Sequence, residues 1–66
     1  MFKVFKLIAG EHRTLLSGGV PSKTEAIALA EAEIGAYQLK GYNPEHGFFW
    51  GRNETDERHV RVWIER

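Results

Sequence analysis

Polar and apolar residues alternate near both ends of the chain and recur with helical spacing between them. Phe2 to Ile8 is apolar except for Lys3 and Lys6, and its Phe, Val and Ile content favours a strand. Gly10-Glu11 fits a two-residue turn, because glycine accepts the positive φ at the first central position of a type II′ hairpin. Arg13 to Ser17 then returns as a second strand, with Phe5 opposite Leu16 and Lys6 opposite Leu15. The face with Phe5, Leu7 and Leu16 is uncharged along its middle, while the other mixes Val4, Ile8 and Leu15 with Lys6 and Arg13. The uncharged face is expected on the core.

Gly18-Gly19-Val20-Pro21 ends this hairpin, and Ser22 opens a helix. Ser22-Lys23-Thr24-Glu25 fits a capping box, in which the serine hydroxyl accepts the Glu25 amide and the Glu25 carboxylate reaches back to the Ser22 amide. Glu25 and Lys40 suit the two ends of the helix dipole, and Gly41 reads as a left-handed C-terminal stop. Ile27, Ala30, Ile34 and Tyr37 form one stripe, which alanines keep thin enough for close approach to a sheet.

Phe48-Phe49-Trp50 and His59 to Glu65 flank an acidic loop, the pattern of a second hairpin. In the later run Val60, Val62 and Ile64 point one way and His59, Arg61, Trp63 and Glu65 the other. The β-branched set is expected on the core. Its partner has two registers. With Arg52 opposite Arg58, Trp50 pairs with Val60 and Phe48 with Val62, so both rings enter the core and Phe49 lies outside. A one-residue slip exchanges the faces, putting Phe49 inside and Phe48 and Trp50 outside beside Trp63. The first register is preferred, because each buried ring contributes roughly 1.5–3 kcal/mol.

The order strand, strand, helix, strand, strand predicts one α+β domain over residues 1–66: a four-stranded antiparallel sheet with one helix on one face. One helix cannot cover such a sheet completely, so the far face is left to water, a partner or a second copy.

Composition narrows the functional classes. Nine basic and nine acidic side chains cancel, which gives no overall pull toward phosphate backbones or anionic lipid. The absence of cysteine removes disulfides and thiolate ligands and makes a reducing cytoplasm the expectation. No apolar run approaches the roughly 20 residues of a membrane span. A chain of 66 residues buries only about 60% of its unfolded surface, and small scaffolds compensate with disulfides, metals or oligomerisation. A non-enzymatic interaction module is therefore expected, a homodimer that self-associates through the sheet face or by adding strands at an edge.

The outward triplet His59, Arg61 and Trp63, joined by Phe49, is the expected contact surface, because aromatics and arginine are enriched at protein interfaces. The plainer reading of the triplet is a cross-strand arrangement that stabilises the sheet. Single-stranded nucleic acid is the rival ligand, since such modules present aromatics on a sheet. The run Gly47 to Arg52 faintly fits their aromatic motif, but the element order differs and Glu54, Asp56 and Glu57 would repel phosphate. Nucleic acid is thus the lesser expectation. Ser22, Lys23 and Thr24 sit where a phosphate-binding loop would end, yet the flanking glycines of that motif are missing and Pro21 removes an amide. They leave a weak anion site at the helix start. His12, His46 and His59 show no ligand spacing, and no nucleophile pairs with a base, so neither metal, cofactor nor enzyme activity is expected.

The helix opening SKTEAIALAEAEI and the ending FFWGRNETDERHVRVWIER resemble small bacterial proteins of strand-strand-helix-strand-strand layout, domains of unknown function. The resemblance is one of pattern. It implies a bacterial cytosolic protein of that layout and supplies no activity or site residues.

Overall fold

The computed structural model describes all of residues 1–66. Its elements are β1 (Phe2–Ile8), β2 (Thr14–Val20), α1 (Lys23–Ile34), β3 (Leu39–Asn43), β4 (Phe48–Arg52) and β5 (Val60–Glu65). The strands form one antiparallel sheet in the order β2-β1-β5-β4-β3, with α1 across one face. The expected sheet of four strands is corrected to five. The first and last strands lie side by side in the middle, and β2 and β3 are the edges.

The additional strand comes from the segment read as the end of the helix. The Ser22 hydroxyl accepts the Glu25 amide at 3.2 Å as expected, although the reciprocal bond from the Ser22 amide does not form. The helix stops at Gly35, and a short turn leads into β3. Gly41 is a strand residue opposite Trp50, because β4 offers hydrogen-bonding partners to Leu39–Asn43 that a continued helix would forgo. Lys40 still serves the helix end from β3, donating to the Gly35 carbonyl at 3.0 Å. Tyr37 leaves the helical stripe and packs from the turn onto Gly51, where a Cβ would stand 2.9 Å from its ring.

Ala26, Ala30 and Ile34 pack on Val4, Val20, Val60 and Val62, with Phe2, Ile8, Tyr37, Phe49 and Ile64 around them. Val60, Val62 and Ile64 face the helix as their alternation predicts. For β1 the expected faces are reversed. Val4, Ile8 and Lys6 lie on the helix side, set by their pairing with Ile64, Val60 and Val62. The charge that argued against this face is met by the helix: Lys6 Nζ lies 2.6 Å from Glu33 Oε2, with the lysine side chain 19% exposed. That hydrogen bond, opposed by burial and helped by Tyr37, raises the Lys6 pKa.

The first hairpin also differs in register. Glu11 donates its amide to the Ile8 carbonyl at 2.9 Å, so Ala9-Gly10 is the centre of the turn. Phe5 then meets Leu15 and Lys6 meets Thr14, with irregularities farther along.

In the second hairpin the slipped register holds: Phe48 pairs with Trp63, Phe49 with Val62, Trp50 with Arg61 and Gly51 with Val60. The preferred alternative, with Phe48 and Trp50 in the core, is overturned. The helix-side position opposite Val60 is held by Gly51, where even a Cβ would meet the Tyr37 ring at 2.9 Å and an indole has no room. The ring burial that favoured the other register is recovered on the outer face, where Phe48 and Trp50 are half-buried.

Candidate functional site

The face turned away from the helix is an aromatic and cationic layer built on the three inner strands. Alternation places Phe5 and Leu7 of β1, Arg61 and Trp63 of β5, and Phe48 and Trp50 of β4 on it, with Leu15 of β2 at its margin. The rings are locked by mutual contact. Phe5 and Trp63 stack with centroids 5.8 Å apart at 23°. The Arg13 guanidinium lies 4.5 Å above Phe5, and that of Arg61 lies 4.8 Å from Phe48. His46, in the β3–β4 loop, stacks on the same Phe48 at 6.3 Å. Trp50 lies flat against Gly41, where a Cβ would stand 2.8 Å from its Nε1. The strand therefore needs glycine there for the indole to rest on backbone.

Charge on this face is lopsided. Lys3, Arg13, Arg52 and Arg61 share it by alternation, and Glu65 is the carboxylate among its strand residues. Glu65 is already engaged: Oε2 accepts Trp63 Nε1 at 2.7 Å and Arg13 Nη1 at 3.4 Å. Arg61 and Arg52 make no ion pair in the chain. The loop carboxylates that would repel an anion sit at the end of the sheet near the β1–β2 turn. One of them is neutralised locally: Asp56 is bound by the Arg58 side chain and amide, which hold its carboxyl down to about 2. Arg58 also reaches Glu11 at 3.1 Å, and its own pKa is raised, chiefly by the Asp56 hydrogen bond.

Of the residues singled out from sequence, Arg61 and Trp63 belong to this layer. His59 precedes β5 and makes no side-chain hydrogen bond or ring contact with the cluster. Phe49, expected outside, lies on the helix side and packs on Tyr42 at 4.7 Å. The Ser22 hydroxyl is used by the helix cap, and Lys23 and Thr24 are exposed with no polar side chain converging on them. Phe5 was expected on the core side, Arg13 was not singled out, and Phe48 and Trp50 were placed on this face only by the alternative register. Gly51 was the available signal: a glycine inside a strand marks close approach of another group, and its parity identifies the crowded face.

On the helix side, where α1 diverges from β3 and β4, lies an open groove of about 720 Å³ floored by Phe2, Phe49 and Ile64, with Ile27 and Tyr42 on its walls. No group of three or more His, Cys, Asp or Glu side chains converges anywhere in the chain. No helix is long and apolar enough to cross a membrane. The outer face offers ring surfaces, guanidinium N–H groups and no hydrogen-bonded nucleophile and base. Comparison of the chain with protein-family models, with curated proteins and with solved structures finds no match.

Proposed function

We propose that the protein is a non-enzymatic interaction module that binds an acidic protein segment through its outer sheet face. The observation that carries this reading is the β4–β5 register, which places Phe48 and Trp50 beside Arg61 and Trp63. Trp, Phe and Arg are the residue types enriched at recognition surfaces. Here their mutual stacking orders the side chains in advance, so less entropy is lost on binding. The Arg61 guanidinium rests on Phe48 with its N–H fork free for a partner's carboxylate. Self-association by stacking outer face on outer face is disfavoured, because Lys3, Arg13, Arg52 and Arg61 would meet their own copies. An acidic segment has the complementary sign. A chain without cysteine suits a reducing cytoplasm for this role.

The test is selection from a displayed random-peptide library on the native protein and on its Arg61→Ser and Trp63→Ala variants. Peptides rich in Asp and Glu should be enriched on the native protein, with affinity reduced about tenfold or more by either substitution. No enrichment, or enrichment indifferent to both substitutions, would overturn the reading.

The excess of cations around stackable rings favours single-stranded nucleic acid as a second reading. It ranks second because bases stacking on Phe5 and Phe48 must displace Arg13 and Arg61. Quenching of Trp fluorescence by an oligothymidylate, abolished by added salt, would select it, and no quenching at low salt would eliminate it.

A further inference from the structure

The exposed apolar side chains of this protein are not scattered. The large ones are Met1 (80% exposed), Leu15 (51%), Leu16 (38%), Leu29 (43%) and Tyr42 (51%). All except Tyr42 border the edge strand β2. Leu15 and Leu16 belong to it. Leu29 lines a shallow depression with Ala28 of α1 and Ser17, Gly19 and Val20 of β2. Met1 lies against the same strand, its Sδ 3.7 Å from where a Cβ on Gly19 would stand.

The strand's free side offers backbone hydrogen bonds as well. Strand β2 ends the sheet, so one side of it has no neighbour. Edge strands commonly repel additional strands by carrying charge or proline. Thr14-Leu15-Leu16-Ser17-Gly18-Gly19-Val20 carries neither. The opposite edge, β3, is shorter and presents Lys40. The two edges are thus differently prepared, and only β2 is open to a neutral, apolar strand.

We infer that β2 is a self-association edge: a second copy sets its own β2 antiparallel to it across a two-fold axis. Charge argues for a copy as the occupant. Pairing β2 with itself brings no charged strand residues together, whereas pairing outer faces opposes their cations and pairing at β3 opposes Lys40 with itself. A two-fold axis also brings apolar groups of both copies together on each side of the joined edge, Leu15 on the outer side and Leu29 on the helix side, the self-complementary surface an isologous dimer requires. Register shifts between β1 and β2 make β2 irregular, so apolar contact supplies more of the affinity than a long ladder does. The paired sheets run continuously, with both aromatic and cationic faces on one side. The pairing stands independently of what those faces bind.

The experiment is sedimentation equilibrium of the full chain over a concentration series, alongside Leu15→Lys, Leu29→Glu and the outer-face control Arg61→Ser. The native chain should move from the 7.6 kDa monomer to a dimer. Each edge substitution should weaken the dimer at least about tenfold, because it sets like charges together near the axis, and the control should leave it unchanged. In parallel, amide exchange of the native protein should show protection of Thr14–Val20 that grows with concentration, a readout independent of whether any variant folds. A native chain that stays monomeric to roughly 1 mM, where even about 4 kcal/mol of association would register, overturns the inference. A dimer lost in Arg61→Ser and kept in the edge variants, or one without concentration-dependent protection of β2, overturns it too.

Discussion

Replacing Gly41 by alanine tests the outer face at the point where its geometry is tightest. The added Cβ would stand 2.8 Å from Trp50 Nε1 and 2.9 Å from Cε2 and Cζ2. Against carbon that is roughly 0.6 Å inside the ~3.5 Å at which favourable contact begins. The near atoms belong to a rigid ring held by the β3–β4 pairing beneath it, so the indole must swing outward or the strands must part. Overpacking of this kind costs about 1–3 kcal/mol. In a domain of this size each kcal/mol lowers the melting temperature by roughly 4–8 °C. A Trp50→Val background identifies the cause. Valine keeps strand propensity and cannot reach Gly41. There the alanine should be neutral or even stabilising, by up to about 0.5–1 kcal/mol, since glycine in a strand interior is unfavourable. The four proteins form a double-mutant cycle read by far-UV circular dichroism in thermal and urea unfolding. The expected coupling is at least about 1 kcal/mol. An equal cost of Gly41→Ala in both backgrounds would refute the packing of Trp50 on Gly41, and with it the register that builds the outer face.

Other expectations concern the elements that support this face. Ser22→Ala removes the acceptor of the Glu25 amide and should cost about 1 kcal/mol in urea unfolding, while Ser22→Asp should retain most of the stability. Glu33→Ala leaves the Lys6 ammonium under the helix without its partner. It should cost about 1–2 kcal/mol, less than a fully buried pair because the carboxylate is partly exposed, and adding Lys6→Met should restore most of the loss. The Lys6 pKa is raised on folding, so the pair's contribution is complete below the ordinary value of 10.5 and fades as pH rises through the raised one; unfolding midpoints between neutral and alkaline pH check this. For Asp56 the sign is opposite. Its carboxyl is lowered from 3.8 to about 2, so its contribution is present above the higher value and disappears as pH falls through the lower. The stability gap between native protein and Asp56→Asn should therefore close over that interval, and a gap independent of pH would contradict the assignment.

Much of the fold can be read from local chemistry. The Ser22 cap depends on residues within one helical turn, and the start of α1 agrees with it. The alternation of Val60, Val62 and Ile64 against Arg61 and Trp63 is strict, so the facing of β5 follows from strand geometry alone. The end of the helix was less legible. Tyr37 and Lys40 continue its periodicity and Gly41 resembles a stop, but the same glycine serves as the bare backbone beneath Trp50, a contact made across strands. Nothing within Leu39–Asn43 announces its partner.

The outer site divides in the same way. The sequence by itself determined that Arg61 and Trp63 point away from the helix, because their orientation requires only a two-residue period. It also determined a helix stripe thin enough to lie close on the sheet. Only the tertiary structure decided that Phe5, Phe48 and Trp50 join them and that Phe49 does not. Phe48-Phe49-Trp50 is apolar at every position, so both registers satisfy its pattern, and the ring burial that separates them locally favours the register the protein does not adopt. The choice came from the far side of the sheet: Tyr37 leaves room for Gly51 and none for an indole. Burial of aromatic area was then satisfied outside by stacking with arginine, which a reading of one hairpin in isolation has no means to weigh.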